Sequence, residues 1–320
     1  MAMPTVNHLL NENGSYYKFI GFLLSTKEFR GVSKVSLNAT VRVWVPKLRC
    51  EYFHYDHEER KLMTDTISHS RVCSGQAIYV GCAGWGLASG VASRFPSEGS
   101  HLERYAQVFP SVEINSSFYR PHQPKTYARW AASVPDAFRF SVKIPRSISH
   151  ELRLREADAA MRAFVDQTAM LGDKLGSLLL QLPPSLALHK AVATDFFSML
   201  LRLTSVPVVC EPRHTSWFTP AAAELMRDEG IACVHAHPAP VSGIEPRGDP
   251  HTLYIRLHGA PLMYYSAYDD AFIDAVAVKI AATCRSRCQA WCIFDNTARG
   301  EAIPNALTLM ERLRAIHPAT

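Results

Sequence analysis

Long apolar runs are scarce in this 320-residue chain. None approaches the ~18 consecutive apolar residues of a membrane span. The longest near the start, residues 19–24, includes a glycine and has no small-residue cleavage site close behind it. A membrane partner and secretion are therefore not expected, and a cytoplasmic location is. Eight cysteines are too sparse for a disulfide scaffold, which suits the same reducing compartment. Charge of one sign is also limited: 34 Lys and Arg stand against 29 Asp and Glu, a net +5, so no strongly basic tail marks a polyanion binder. Missing too are the G-x-G-x-x-G loop of a nicotinamide or flavin site and the H-E-x-x-H pair of a zinc hydrolase. What is present, 48% hydrophobic and 20% charged residues, is the composition of a globular chain long enough to bury a full core.

The chain reads as two unlike parts. Residues 1–76 carry 10 basic and 7 acidic residues, and residues 77–320 carry 24 and 22. In the first part, residues 41–45 alternate like a strand, but polar clusters interrupt every run and nothing repeats. His54 and His57 beside Asp56 are spaced like metal ligands, yet with no helical pattern or further ligand the pair reads as surface. Residues 1–76 are thus expected to be a weakly folded extension of no assigned function, either disordered or the product of a start codon placed too far upstream.

From Ala77 onward short apolar runs alternate with helical patterns. Strands are expected at 78–81, 111–115, 138–143, 177–181, 206–211, 231–235, 252–258 and 290–295. Helices are expected at 102–108, 124–133, 157–171, 190–204, 220–228, 269–284 and 302–316. Thr219 followed by Pro220 gives a helix start, and Gly230 a left-handed stop. Eight strands over residues 77–320 predict an α/β fold, a TIM-like (β/α)8 barrel of ~250 residues, with a doubly wound open sheet as the alternative.

In such a barrel, chemistry sits at the C-terminal ends of the strands. Those ends are polar here. Glu113 and Asn115 share one face of the second strand, with Val112 and Ile114 on the other. The third ends at Lys143, the fifth at Glu211 followed by Arg213 and His214, and the sixth at His235 and His237. Tyr254, Arg256 and His258 share a face of the seventh, and the eighth ends at Asp295 and Asn296. Charges converging on one mouth must pair with one another or hold a ligand.

The run Val112-Glu113-Ile114-Asn115-Ser116-Ser117-Phe118-Tyr119-Arg120, with Glu211-Pro212-Arg213-His214-x-Ser216-Trp217-Phe218, resembles the YecE-like family, domain of unknown function 72. Phe140-Ser141-Val142-Lys143 leading to Ile148-Ser149-His150, Arg256-Leu257-His258-Gly259, and Phe294-Asp295-Asn296-Thr297 with Asn305-Ala306 extend the resemblance from about residue 78 to the C-terminus. It implies a TIM barrel and leaves the reaction undefined. The chain departs from the family pattern at Cys82 and Ala83, where hydroxyl residues are usual, and at His237, where an aspartate is usual.

The strand-end residues point to acid–base chemistry on an anionic, phosphate-bearing or sugar-like substrate, with hydrolase and isomerase or lyase classes both open. Glu113 and Glu211 are the expected acid/base pair, assisted by His258 and Asp295. The same carboxylates could bind a divalent metal, although no metal-ligand signature is recognisable. Lys143 could form a Schiff base or simply neutralise a glutamate. Arg213 and Arg256 are expected to hold the anion, since a guanidinium fork suits carboxylate or phosphate. Asn115, Tyr119, Trp217, Tyr265, Tyr268 and Asn296 complete the expected substrate contacts. The rival readings are a nucleic-acid platform and a non-catalytic ligand sensor. Cys284, Cys288 and Cys292 are spaced wrongly for an iron–sulfur cluster and fall at the far end of the barrel. Cys82 and Cys210 read as small buried hydrophobes.

Overall fold

The computed structural model describes residues 77–284, without the Cys284 side chain, and 289–316. The 41–45 strand, the His54/His57 pair and Cys288 lie outside these residues. Among the described residues nine parallel strands make the wall: β1 (Ala77–Cys82), β2 (Ser111–Ile114), β3 (Arg139–Lys143), β4 (Leu175–Gln181), β5 (Val208–Glu211), β6 (Ala232–Cys233), β7 (His235–His237), β8 (Thr252–Leu257) and β9 (Gln289–Phe294). Seven α-helices accompany them: α1 (His101–Ala106), α2 (Pro124–Ala132), α3 (Asp158–Thr168), α4 (Lys190–Leu203), α5 (Pro220–Asp228), α6 (Asp270–Cys284) and α7 (Ala302–Ile316). None of the described helices is long and apolar enough to cross a membrane.

The strands form two hydrogen-bonded ladders, β2-β3-β4-β5-β6 and β7-β8-β9-β1. Both are parallel throughout. The strand expected at 231–235 is two short pieces because it changes partner midway. β6 pairs with β5 and β7 with β8, while the Val234 amide between them still donates to the Cys210 carbonyl at 2.8 Å.

The opposite seam, between β1 and β2, has no ladder. A side chain spans it instead: the Cys82 amide donates to the Tyr105 hydroxyl at 2.8 Å, and that hydroxyl donates to the Ser111 carbonyl at 3.1 Å. Gly81 lets the strands approach, because a Cβ there would collide with the Ser111 carbonyl.

The period-two alternation sorts side chains into two clusters. Outward residues such as Val112, Ile114, Phe140, Val142, Leu178, Leu180, Ile255 and Leu257 pack under the helices. Inward residues Leu179, Val209, Ala232, Val234, Tyr254, Trp291 and Ile293 fill the barrel, with Tyr79 against them. The Trp291 indole is the floor. It lies 4.5 Å from the Tyr79 ring and stacks on Tyr254 at 5.8 Å between centroids. A Cβ on Gly176 would fall 2.7 Å from the indole, so that glycine makes room for it.

Local signals act as the sequence implies. Thr219 caps α5 by accepting from the Ala222 amide, with Pro220 in the first turn, and Gly230 adopts a φ of 65° past its end. The helix expected over 157–171 is shorter: α3 stops at Thr168 and a 3-10 segment, Ala169–Lys174, follows, broken by Gly172 at φ 55°. The first helix begins earlier, at His101, because Ser100 and Glu103 form a reciprocal capping box.

Candidate active site

Above the aromatic floor the interior becomes ionic, and Arg256 is its centre. The side chain is fully buried at the end of β8. Its Nε donates to Glu113 Oε2 at 3.0 Å and one terminal nitrogen to Glu113 Oε1 at 2.7 Å. The same terminal nitrogen reaches Asp295 Oδ2 at 3.0 Å, and the other donates to Glu211 Oε2 at 2.6 Å. Three strand ends, β2, β5 and β9, are thereby tied to a fourth. The Tyr254 hydroxyl lies 3.0 Å from Glu113 Oε2 and 2.7 Å from Ser141 Oγ. A phenol has one proton, so donation to the carboxylate leaves its oxygen to accept from Ser141.

A second tier closes over this arrangement. His258 is buried, with Nδ1 3.0 Å from Asp295 Oδ2 and Nε2 3.1 Å from Glu211 Oε1. Arg213 pairs with Glu211 and places a terminal nitrogen 2.8 Å from the same Nε2. That ring nitrogen therefore has two alternatives: it donates to Glu211 when protonated and accepts from Arg213 when not. Burial alone would raise the Glu211 carboxyl, but Arg256 and Arg213 outweigh it and hold it well below the usual carboxylate range. Burial acts likewise on Asp295 and is outweighed by Arg256 and His258, so its value is lowered.

Lys143 behaves differently. It is buried at the end of β3, yet its amine makes no hydrogen bond or ion pair among the described residues. Its Nζ stands 4.1 Å over the Phe118 ring. Burial, reinforced by the Arg256 charge, pushes the amine down to about 8 against the opposing pull of Glu113, Glu211 and Asp295. Of the two roles open to Lys143 on sequence grounds, neutralising a glutamate therefore falls to Arg256.

Phe118 is held by its neighbours. The Ser117 hydroxyl lies 2.6 Å from the Lys143 carbonyl and 3.0 Å from that of Ile114. The His150 ring meets Phe118 edge-on at 5.0 Å. Burial and the Lys143 charge lower the His150 imidazole below its ordinary value.

The other expected contacts divide into two groups. Asn115 Nδ2 reaches Asp295 Oδ1 at 3.4 Å, while its Oδ1 is buried with no partner among the described residues, as is Arg213 Nε. Tyr119 is exposed on the rim, and Tyr265 is half-exposed with the Arg299 guanidinium 5.6 Å from its ring. Trp217, Tyr268 and Asn296 hydrogen-bond neighbouring loops, and Asn296 Oδ1 is buried with no partner among the described residues. The Trp217 indole donates to the Leu186 carbonyl at 3.0 Å, and the Tyr268 hydroxyl accepts from the Gly259 amide at 2.8 Å. Asn296 donates to Asn305 Oδ1 at 2.9 Å and to the Ser266 carbonyl at 3.0 Å.

Two further residues join the site, one of them a loop aromatic that the sequence already offers. Tyr264, at φ 70°, sets its ring edge-on to His258 at 5.7 Å. His150 was visible only inside a matched motif.

No group of three His, Cys, Asp or Glu side chains among the described residues is placed to hold a metal ion. Glu113, Glu211 and Asp295 all turn oxygens onto the Arg256 guanidinium. His237 hydrogen-bonds Tyr268 at 3.0 Å and packs on Phe272 at 4.6 Å, on the helix side of the wall. Cys82 and Cys210 are buried, and burial pushes the Cys82 thiol up to about 12.

Comparison with known proteins places these residues in a wider set. The profile of the family described as protein of unknown function DUF72 matches residues 79–319. The UPF0759 protein YecE of Escherichia coli (strain K12) is 30% identical over 158 residues, 48% of this chain and 55% of YecE. The chain thus spans about half the length of the YecE proteins it matches. The UPF0759 protein YunF of Bacillus subtilis (strain 168) is 27% identical over 197 residues, 57% of this chain and 70% of YunF. Among solved structures, a DUF72 family protein from Thermotoga maritima MSB8 superposes with a TM-score of 0.64 at 23% identity, covering 74% of this chain and 99% of that one. A DUF72 family protein from Enterococcus faecalis V583 gives 0.64 at 21% identity, covering 74% and 95%. These likenesses share the barrel.

Proposed function

The chain belongs to the DUF72 family, and from that premise we propose that it is an enzyme performing acid–base chemistry on an anionic, sugar-like substrate at the barrel mouth. The observation that carries this reading is the state of Lys143. Five buried ionisable residues, Glu113, Glu211, Arg256, His258 and Asp295, are locked into mutual pairs. The sixth, Lys143, is kept apart from them on an aromatic face. A structural lysine would take the nearest carboxylate; an amine held without one keeps its lone pair or its proton for a ligand.

In this reading the Arg256 network is the frame. Glu113, with both oxygens on Arg256 and one on Tyr254, is a positioning residue. Lys143 works on the substrate, and His150 and His258 carry protons. Glu211 and Asp295 set which nitrogens of His258 bear hydrogen. The buried Asn115 Oδ1 and Arg213 Nε offer an acceptor and a donor for substrate hydroxyls. The rim cations Arg120 and Arg299, which make no ion pair among the described residues, receive the anionic group.

The test is solvent-deuterium exchange into a panel of aldose and ketose phosphates, followed by NMR. Exchange is expected with the wild-type chain and not with a folded Lys143→Met variant. Equal exchange by both proteins, or none with any panel member, would reject the reading.

A further inference from the structure

We propose that Lys143 acts as a covalent nucleophile, forming an imine with the carbonyl carbon of an aldose- or ketose-type substrate in the barrel mouth. The inference rests on the reading above, in which the mouth takes a sugar-like anion, and it specifies the reacting atom.

Three features of the geometry support it. First, the amine is withheld from the carboxylates that share its cavity. Arg256 takes oxygens from Glu113, Glu211 and Asp295, and Arg213 and His258 take what remains of Glu211. An ion-paired ammonium has no lone pair to give, so this segregation is the condition for attack on carbon. Second, the amine is fixed in place. The Ser117 hydroxyl bonds the Lys143 carbonyl, which seats Phe118 directly beneath Nζ, and His150 closes the ring's other edge. Third, two imidazoles lie at the same end of the barrel. His150 feels the Lys143 charge, and His258 stands between two carboxylates. The amine's lowered value, about 8, gives a useful neutral fraction near physiological pH.

The step balances without any oxidant or reductant. The Nζ lone pair forms the N–C bond while the carbonyl π pair moves to oxygen, which takes up one of the two amine protons. Water then leaves with the former carbonyl oxygen and both amine hydrogens, and nitrogen re-forms a double bond to carbon. The protonated imine draws the electron pair of the adjacent C–H bond into an enamine, the proton passing to a neighbouring imidazole, which returns it to carbon. Hydrolysis returns the amine.

The experiment is reductive trapping of the full chain. Dihydroxyacetone phosphate, glyceraldehyde 3-phosphate, fructose 6-phosphate and the uncharged dihydroxyacetone are each incubated with protein near pH 8. Sodium cyanoborohydride is then added, and adducts are located by intact-mass and peptide mass spectrometry. Binding is followed in parallel by the shift in melting temperature.

One adduct per chain on Lys143, lost in a folded Lys143→Arg variant, is the expected result. A thermal shift with a phosphate probe but no adduct overturns the covalent role and leaves the acid–base reading standing. An adduct on Lys143 with dihydroxyacetone alone, and no response to the phosphates, keeps the imine and removes the anionic substrate. Labelling spread over exposed lysines such as Lys125 and Lys190, equal in wild type and variant, overturns the covalent role too.

Discussion

Arg256 and Glu113 meet through two parallel hydrogen bonds, Nε to Oε2 at 3.0 Å and a terminal nitrogen to Oε1 at 2.7 Å, with both side chains fully buried. The guanidinium edges left over reach Glu211 and Asp295, so one cation stabilises three carboxylates. Removing one partner of a buried pair leaves uncompensated charge, at a cost of about 3–5 kcal/mol. Arg256→Met is therefore expected to lose at least that much in urea unfolding. Arg256→Lys should not restore it, because an ammonium cannot bridge planar pairs on several sides. Near wild-type stability in either variant would refute the role of the guanidinium as frame.

The seam between β1 and β2 depends on one hydroxyl. Tyr105→Phe leaves the Cys82 amide and the Ser111 carbonyl without their partner. Each buried unsatisfied group costs about 1–3 kcal/mol. The variant should be destabilised by about 2–6 kcal/mol for the two groups together, and amide exchange at Cys82 should accelerate relative to β8. Unchanged exchange there would show that the seam is held by other means.

Lys143 should make stability depend on alkaline pH. Its folded value, about 8, lies below its ordinary 10.5, so the unfolded chain binds the proton more tightly and stability rises with pH between the two values. The full rise is about 3 kcal/mol at ~1.4 kcal/mol per pH unit. Tyrosines and cysteines also titrate there, so the difference between wild type and Lys143→Met isolates it. That difference should move in favour of wild type from pH 8 to 10.5, and a flat difference would contradict a buried, unpaired amine.

On the acid side the slope has the same sign. Glu211 and Asp295 have lowered folded values, so their contribution is present above the unfolded carboxylate range and is lost as pH falls through the folded values. Unfolding free energy should hold down to about pH 4.5 and then decline. In Glu211→Gln that decline should be shallower, from a lower plateau. A variant curve parallel to wild type would mean that Glu211 titrates alike in both states.

Much of this architecture was legible in the sequence because alternation is a strong signal. Period two along 112–115 and 253–258 separates wall from mouth without knowledge of any partner, and it brings Glu113, Lys143, Glu211, Arg256, His258 and Asp295 to one end. Pairing preferences were not legible. Nothing local says that Arg256, rather than Lys143, takes the carboxylates, since that depends on side-chain reach across the barrel. The loop bonds of Trp217, Tyr268 and Asn296 were not legible either, because loop-anchoring and ligand-facing polar residues have the same composition. Tyr105 was hidden for another reason: a tyrosine on a short helix carries no mark that its hydroxyl will stand in for a ladder.

The Trp291 floor makes the barrel a cup rather than a tube. With the indole across its cross-section, whatever enters must turn round to leave, so arrival and departure share one doorway. A product still on the rim bars the next molecule, and larger tenants are screened by Tyr119, Tyr264 and Tyr265 at the threshold, before the chemistry beneath is reached.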